Sequence, residues 1–137
     1  MTTFSGVAHV AIVVRELATS VEWYQRVLGF EAASELLPGP PEAGHPRMLL
    51  RHPHSGLVLG VHEPLQRSHD EFDPSRTGLD HLALAVADRA ALDAWLIQLD
   101  EREVAHSPVR DAGYAEFVSV FDPDGIQWEL WVAKPDA

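Results

Sequence analysis

The 137-residue chain contains no cysteine and a single lysine, Lys134. Without cysteine there are no disulfides and no thiolate metal ligands, and we expect a cytoplasmic protein. The shortage of basic residues leaves a formal net charge of −11. Such a chain repels a phosphate backbone, so nucleic acid is not an expected partner. No apolar run approaches the ~18 residues of a membrane-spanning helix. The opening residues, MTTFSGV, carry neither the charged nor the apolar part of a secretion signal, and a membrane is not expected either. The length suits one domain with a real core.

What is present is a repeat. The segments Gly6–Tyr24 and Gly78–Leu96 align without a gap at an offset of 72 residues. They share Gly6/Gly78, His9/His81, Ala11/Ala83, Val14/Val86, Ala18/Ala90 and Trp23/Trp95. A repeat of this length is one supersecondary unit used twice.

In the first copy, Val7–Val14 reads as a strand. Leu17, Val21, Tyr24 and Leu28 give the next segment one apolar helical face. A capping box of Thr19 and Glu22 is expected at its start, and Gly29 at its end. Phe30–Leu36, Arg47–Arg51 and Leu57–His62 read as strands, with a loop at Pro38-Gly39-Pro40-Pro41. The polar stretch from Glu63 to Thr77 reads as a linker. The second copy repeats the plan with strands at Leu79–Val86, Glu103–Ser107, Tyr114–Phe121 and Ile126–Val132. Its helix is expected to start at an Asp88 cap and to carry Leu92, Trp95, Leu96 and Leu99 on one face. The acidic residues Asp93, Asp100, Glu101 and Glu103 read as a solvated face. His45, His52, His54 and His69 read as surface residues.

Strand alternation assigns the faces. Val10, Ile12 and Val14 share one face, and His9, Ala11 and Val13 the other. Leu82, Leu84 and Val86 likewise oppose His81, Ala83 and Ala85. In the last strand Glu129 lies opposite the apolar row Ile126, Trp128, Leu130 and Val132. A carboxylate centred in so apolar a strand is costly to bury unless something compensates it. Two imidazoles at equivalent points of a repeat and one carboxylate form a facial triad with open positions. That set suits one divalent ion of Fe, Mn, Zn, Ni or Co.

The text H-V-A-I-V-V at His9, W-Y-Q-R-V-L-G-F at Trp23–Phe30, H-L-A-L-A-V at His81 and D-P-D-G-I-Q-W-E-L-W at Asp122–Trp131 resembles the vicinal oxygen chelate superfamily. That superfamily includes glyoxalase I, fosfomycin- and bleomycin-resistance proteins and extradiol dioxygenases. The resemblance implies metal ligands at His9, His81 and Glu129. Members with a fourth protein ligand take it from the position that falls here on Gly60, which has no side chain. His62, two residues on, is a candidate catalytic group at the cavity. The glutathione-binding arginine of similar glyoxalases falls on Val13, and the tyrosine of extradiol enzymes on Ser119. The lysine and serine of fosfomycin-resistance enzymes fall on Val109 and Gly113, with Arg110 beside them.

The expected fold is therefore α+β. Two paired βαβββ modules (5–63 and 78–134, linker 64–77) would form a curved mixed sheet around a metal-binding cavity in one glyoxalase-like domain. The expected function is a metal-dependent lyase, isomerase or dioxygenase acting on a small molecule with vicinal oxygens. Phe117, Ser119, Gln127 and Trp131 are the expected substrate wall, and the assembly is expected to be a homodimer. The alternative is a bleomycin-resistance-like protein that sequesters a planar ligand.

Overall fold

The computed structural model describes residues 1–33, 46–66 and 70–135, and divides into two compact units, Met1–Asp70 and Glu71–Ala137. Unit one runs Val10–Val13 (β1), Leu17–Leu28 (α1), Glu31–Ala32 (β2), Arg47–Arg51 (β3) and Val58–His62 (β4). Its sheet has the order β1-β4-β3-β2, with β1 parallel to β4 and the other pairs antiparallel. Unit two runs His81–Ala85 (β5), Arg89–Glu101 (α2), Arg110–Asp111 (β6), Ala115–Phe121 (β7) and Gln127–Ala133 (β8). Its order is β5-β8-β7-β6, with the same parallel and antiparallel pattern. Both units follow the βαβββ plan read from the repeat. No helix among the described residues is long and apolar enough to cross a membrane.

In each unit the helix covers one face of the sheet, as the alternation predicts. Ile12 and Val14 are buried, whereas Ala11 and Val13 on the other face are exposed. α1 adds Leu17, Val21, Tyr24, Val27 and Leu28 to a core completed by Leu50, Leu59 and Val61. In unit two, Leu92 and Leu99 of α2 are buried, as are Trp128 and Leu130 of β8. Asp88 caps α2 as expected, its carboxylate accepting from the Ala91 N–H at 2.8 Å. Gly29 ends α1 in the left-handed region (φ 78°), where a side chain would be strained.

Three local expectations are corrected. The capping box does not form, because the helix already begins at Leu17 and Thr19 lies within its first turn. Thr19 Oγ1 instead donates to Glu16 Oε1, and Glu22 accepts from Arg26. The N-terminal N–H of Leu17 is satisfied by Glu63 Oε2 at 2.7 Å, from a residue just past β4. Secondly, the first strand is shorter than Val7–Val14: it starts at Val10, with Val7 exposed and His9 ahead of it. Thirdly, Glu103–Ser107 is not a strand. Glu103 has φ 56°, His106 makes only an isolated bridge to Val120, and the pairing strand is Arg110–Asp111. Asp93, Asp100, Glu101 and Glu103 are exposed as expected, two of them in surface contacts: Arg89 donates to Asp93 at 2.8 Å, and His106 Nε2 lies 2.7 Å from Asp100. Residues 34–36 of the expected Phe30–Leu36 strand, the proline-rich loop, His45 and His69 lie outside the described residues. His54 is exposed, but His52 is half-buried, with its ring edge-on to Phe30 at 5.6 Å.

Candidate functional site

The face of unit two turned away from α2 carries the candidate site. A turn sets its register. Asp122 Oδ1 accepts from the N–H groups of Asp124 and Ile126, each at 2.8 Å, and Gly125 takes φ 80°. The N–H of Phe72 binds the Asp124 carbonyl at 2.8 Å and fastens the preceding segment to the same turn. The hairpin that follows pairs Ser119 with Glu129 and Phe117 with Trp131. On its other side β8 pairs in parallel with β5, Gln127 opposite His81 and Glu129 opposite Ala83. Period-two alternation therefore puts His81, Gln127, Glu129, Ser119, Phe117 and Trp131 on one face.

Glu129 is 7% exposed. Its hydrogen-bond donor among the described residues is the Gln127 amide, at 3.3 Å from Oε1. That amide also reaches Ser119 Oγ at 3.1 Å. His81 Nε2 stands 3.5 Å from the same Oε1, and Nδ1 lies 2.7 Å from Asp80 Oδ2. A carboxylate only accepts, so Nδ1 carries a proton toward Asp80, and Nε2 is the nitrogen turned to Glu129. A 3.5 Å approach of the two groups is favourable with a proton on Nε2 or with a metal cation between them. Donors bound to one divalent ion at about 2.1 Å each stand roughly 3.0–3.4 Å apart, close to the separation seen. The separation of the pair is compatible with two ligands of one divalent ion.

The other end of this face is aromatic. The Tyr114 and Trp131 rings lie 6.2 Å apart, tilted by 52°, with Tyr114 exposed and Trp131 half-buried. Phe117, opposite Trp131, is half-buried as well.

The profile of the Glyoxalase/Bleomycin resistance protein/Dioxygenase superfamily matches residues 6–130. The chain belongs to this glyoxalase superfamily. Among its curated relatives is YaeR of Escherichia coli (strain K12), 28% identical over 127 residues that cover 91% of this chain and 94% of YaeR. A glyoxylase/bleomycin resistance protein/dioxygenase domain from Frankia sp. EAN1pec superposes with a TM-score of 0.85 at 27% identity, covering 98% of this chain and 96% of that one. The fosfomycin resistance protein FosX from Listeria monocytogenes, complexed with Mn(II) and sulfate, has a TM-score of 0.69 at 15% identity. It covers 98% of this chain and 97% of its own, and shares the fold.

In this glyoxalase-superfamily chain the sequence-derived site residues distribute between the two units. His81, Glu129, Phe117, Ser119, Gln127 and Trp131 share the face of unit two described above. His9 and His62 belong to unit one, His9 exposed just ahead of β1 and His62 half-buried at the end of β4. Among the described residues no group of three or more His, Cys, Asp or Glu side chains is gathered into a metal cluster. The register of unit one supports the alignment of Gly60 with Glu129: Gly60 pairs with Ala11 as Glu129 pairs with Ala83. Asp80 is a neighbour of the candidate site that the sequence pattern did not single out. It precedes β5, where alternation does not hold it to the opposite face, and its carboxylate turns back to the neighbouring imidazole. The dipeptide Asp80-His81 was the available signal.

Proposed function

We propose that this chain is a divalent-metal-dependent enzyme acting on a small molecule with two adjacent oxygens, by lyase, isomerase or dioxygenase chemistry. Its protein ligands would be His9, His81 and Glu129, and the ion one of Fe, Mn, Zn, Ni or Co. The observation that carries this reading is the buried Glu129 carboxylate facing His81 Nε2 at 3.5 Å, with Asp80 holding the opposite nitrogen. The Mn(II) complex of FosX, which shares the fold, also supports it.

When bound, the ion supplies Lewis-acid polarisation of the substrate's oxygens. The chain's own residues do the rest. Asp80 fixes the tautomer and direction of His81. Gln127 bridges Ser119 and Glu129 and so orients the carboxylate; Ser119, 2% exposed, supports that bridge and is not part of the expected substrate wall. Phe117 and Trp131 offer flat apolar surface on the same face, where they would seat the carbon skeleton and exclude water. We further propose that the two modules form one domain and that the protein acts as a cytoplasmic homodimer.

The second reading is a protein that sequesters a planar apolar ligand against Trp131, Tyr114 and Phe117. The aromatic end of the face favours it. The experiment is a pair of measurements on metal-loaded and chelator-stripped protein: turnover of a panel of hydroxyketones, α-keto thiol adducts and catechols, and affinity for whatever binds. Metal-dependent turnover is the expected result. A best ligand returned unchanged, with one affinity in both states, replaces the enzyme with the binding protein.

A further inference from the structure

One row of side chains in unit two runs from the candidate site to the edge of the sheet. Trp131 of β8 pairs with Phe117 of β7, and Phe117 pairs with Arg110 of β6. Residues directly opposite each other in a ladder leave the sheet on the same face. Arg110 therefore stands on the face that carries His81 and Glu129, in line with the two aromatic residues. Neighbouring strands lie about 4.8 Å apart, so the row spans roughly 10 Å from Trp131 to Arg110. The row of Ser119 and Glu129 runs beside it, two residues and so about 7 Å along the strands.

The two faces of this edge differ in how charge is matched. Asp111 pairs with Glu116 on the face toward α2, and both acids have cations. Asp111 accepts from Lys134 Nζ at 2.7 Å, and Glu116 accepts from Arg89, which also donates to Asp93 at 2.8 Å. Arg110, on the opposite face, is exposed and has no hydrogen-bond or ion-pair partner among the described residues. The chain has 21 acidic residues against 10 basic ones, so carboxylates are not scarce. Register keeps them from Arg110. Its neighbours in the row are Phe117 and Trp131, and Glu129 lies two strands away, buried and occupied with Gln127 and His81. The outcome is an unmatched guanidinium at one end of a flat apolar surface.

We propose that Arg110 sets the specificity of this face for an acid: a small planar ligand whose rings lie on Phe117 and Trp131 and whose carboxylate meets Arg110. The proposal rests on the reading of this face as a ligand wall, and it holds for an enzyme and for a sequestering protein alike. The guanidinium fork is planar and matches a carboxylate with two parallel N–H···O bonds. The aromatic residues cover the apolar body of the ligand and keep water from it, which strengthens the charged contact at its end. The net charge of −11 repels an anion at long range. A preference for an acid over a neutral ligand of the same shape therefore has to come from a local cation.

The test is calorimetric titration of the full-length protein with 2-naphthoate and with 2-naphthamide, which share a shape and differ in charge. Chelator-stripped protein is used, so the result is independent of the metal reading, which the turnover measurements decide separately. The parent should bind the acid roughly tenfold or more tightly than the amide, the size of a charge-assisted bond, and added salt should shrink the difference. Arg110→Gln should abolish the preference and leave the affinity for the amide unchanged. Arg110→Lys should keep part of it, since the charge remains and the fork is lost. Trp131→Ala should weaken both compounds together. Equal affinity of the parent for acid and amide, a preference that survives in Arg110→Gln, or binding of neither compound overturns the proposal. Unchanged binding of both by Trp131→Ala overturns the placement of the ligand on this row, and the proposal with it.

Discussion

His81 Nε2 faces Glu129 Oε1 across 3.5 Å, with Asp80 gripping the other side of the same ring at 2.7 Å. Neither contact is predicted by either residue alone. The strand register brings histidine and glutamate onto one diagonal, and the aspartate then turns the imidazole so that its Nε2 points along it.

The first prediction concerns that pair. A saturating divalent ion should raise the melting temperature of the parent, by the equivalent of about 2.7 kcal/mol at a hundredfold excess over Kd. Glu129→Gln should lose most of this shift. In the stripped protein the same change should be neutral or stabilising, because it removes a buried charge. Thermal melts with and without metal give both answers, and an equal metal shift in both proteins counts against Glu129 as a ligand.

The second prediction concerns Asp80. Asp80→Ala should weaken metal binding by about 10–100-fold without altering the fold, since only the partner of a ligand is removed. Competition with a chelating dye measures the change, and an unchanged affinity would show that Asp80 is a bystander.

The third prediction concerns the start of α1. Glu63→Ala leaves the Leu17 N–H without its carboxylate and should cost about 1 kcal/mol in urea unfolding, the usual size of a lost N-terminal cap. Thr19→Ala, which removes only an exposed contact with Glu16, should cost much less. Equal effects would return the cap to Thr19.

The fourth prediction is a pH dependence. His106 Nδ1 lies 2.7 Å from the Ser107 carbonyl and Nε2 lies 2.7 Å from Asp100 Oδ1, so both nitrogens face acceptors and the ring is held as the imidazolium. The Ser107 carbonyl first, and then Asp100, raise its pKa above the ordinary value. Its contribution to stability is fully present below the unfolded-state pKa of about 6.5 and is lost as pH rises through the higher folded value. The melting temperature should therefore fall over that window in the parent. His106→Gln should lack this component, and a parallel fall in both proteins would remove His106 as its source.

The sequence by itself determined the plan of each unit. The repeat, the 3.6-residue period of the helices and the period-two alternation of the strands are local patterns, and they placed His81, Glu129, Ser119, Gln127, Phe117 and Trp131 on one face. The turn glycines aligned Gly60 with Glu129 because each hairpin counts its register from its turn. Tertiary structure alone decided the contacts that depend on long-range closure or on where a strand begins. Glu63 caps a helix 46 residues earlier in the chain because parallel pairing of β1 and β4 brings the two ends together. Asp100, which looks like one more solvated acid, meets His106 because the chain doubles back after Arg102 instead of forming a strand at once. Asp80 reaches His81 because β5 starts one residue too late to send the two side chains to opposite faces. His62 covers Gly60 because strand alternation fixes only which face a side chain leaves from. Its torsion, and the space a missing Cβ leaves open, decide where its nitrogen comes to rest.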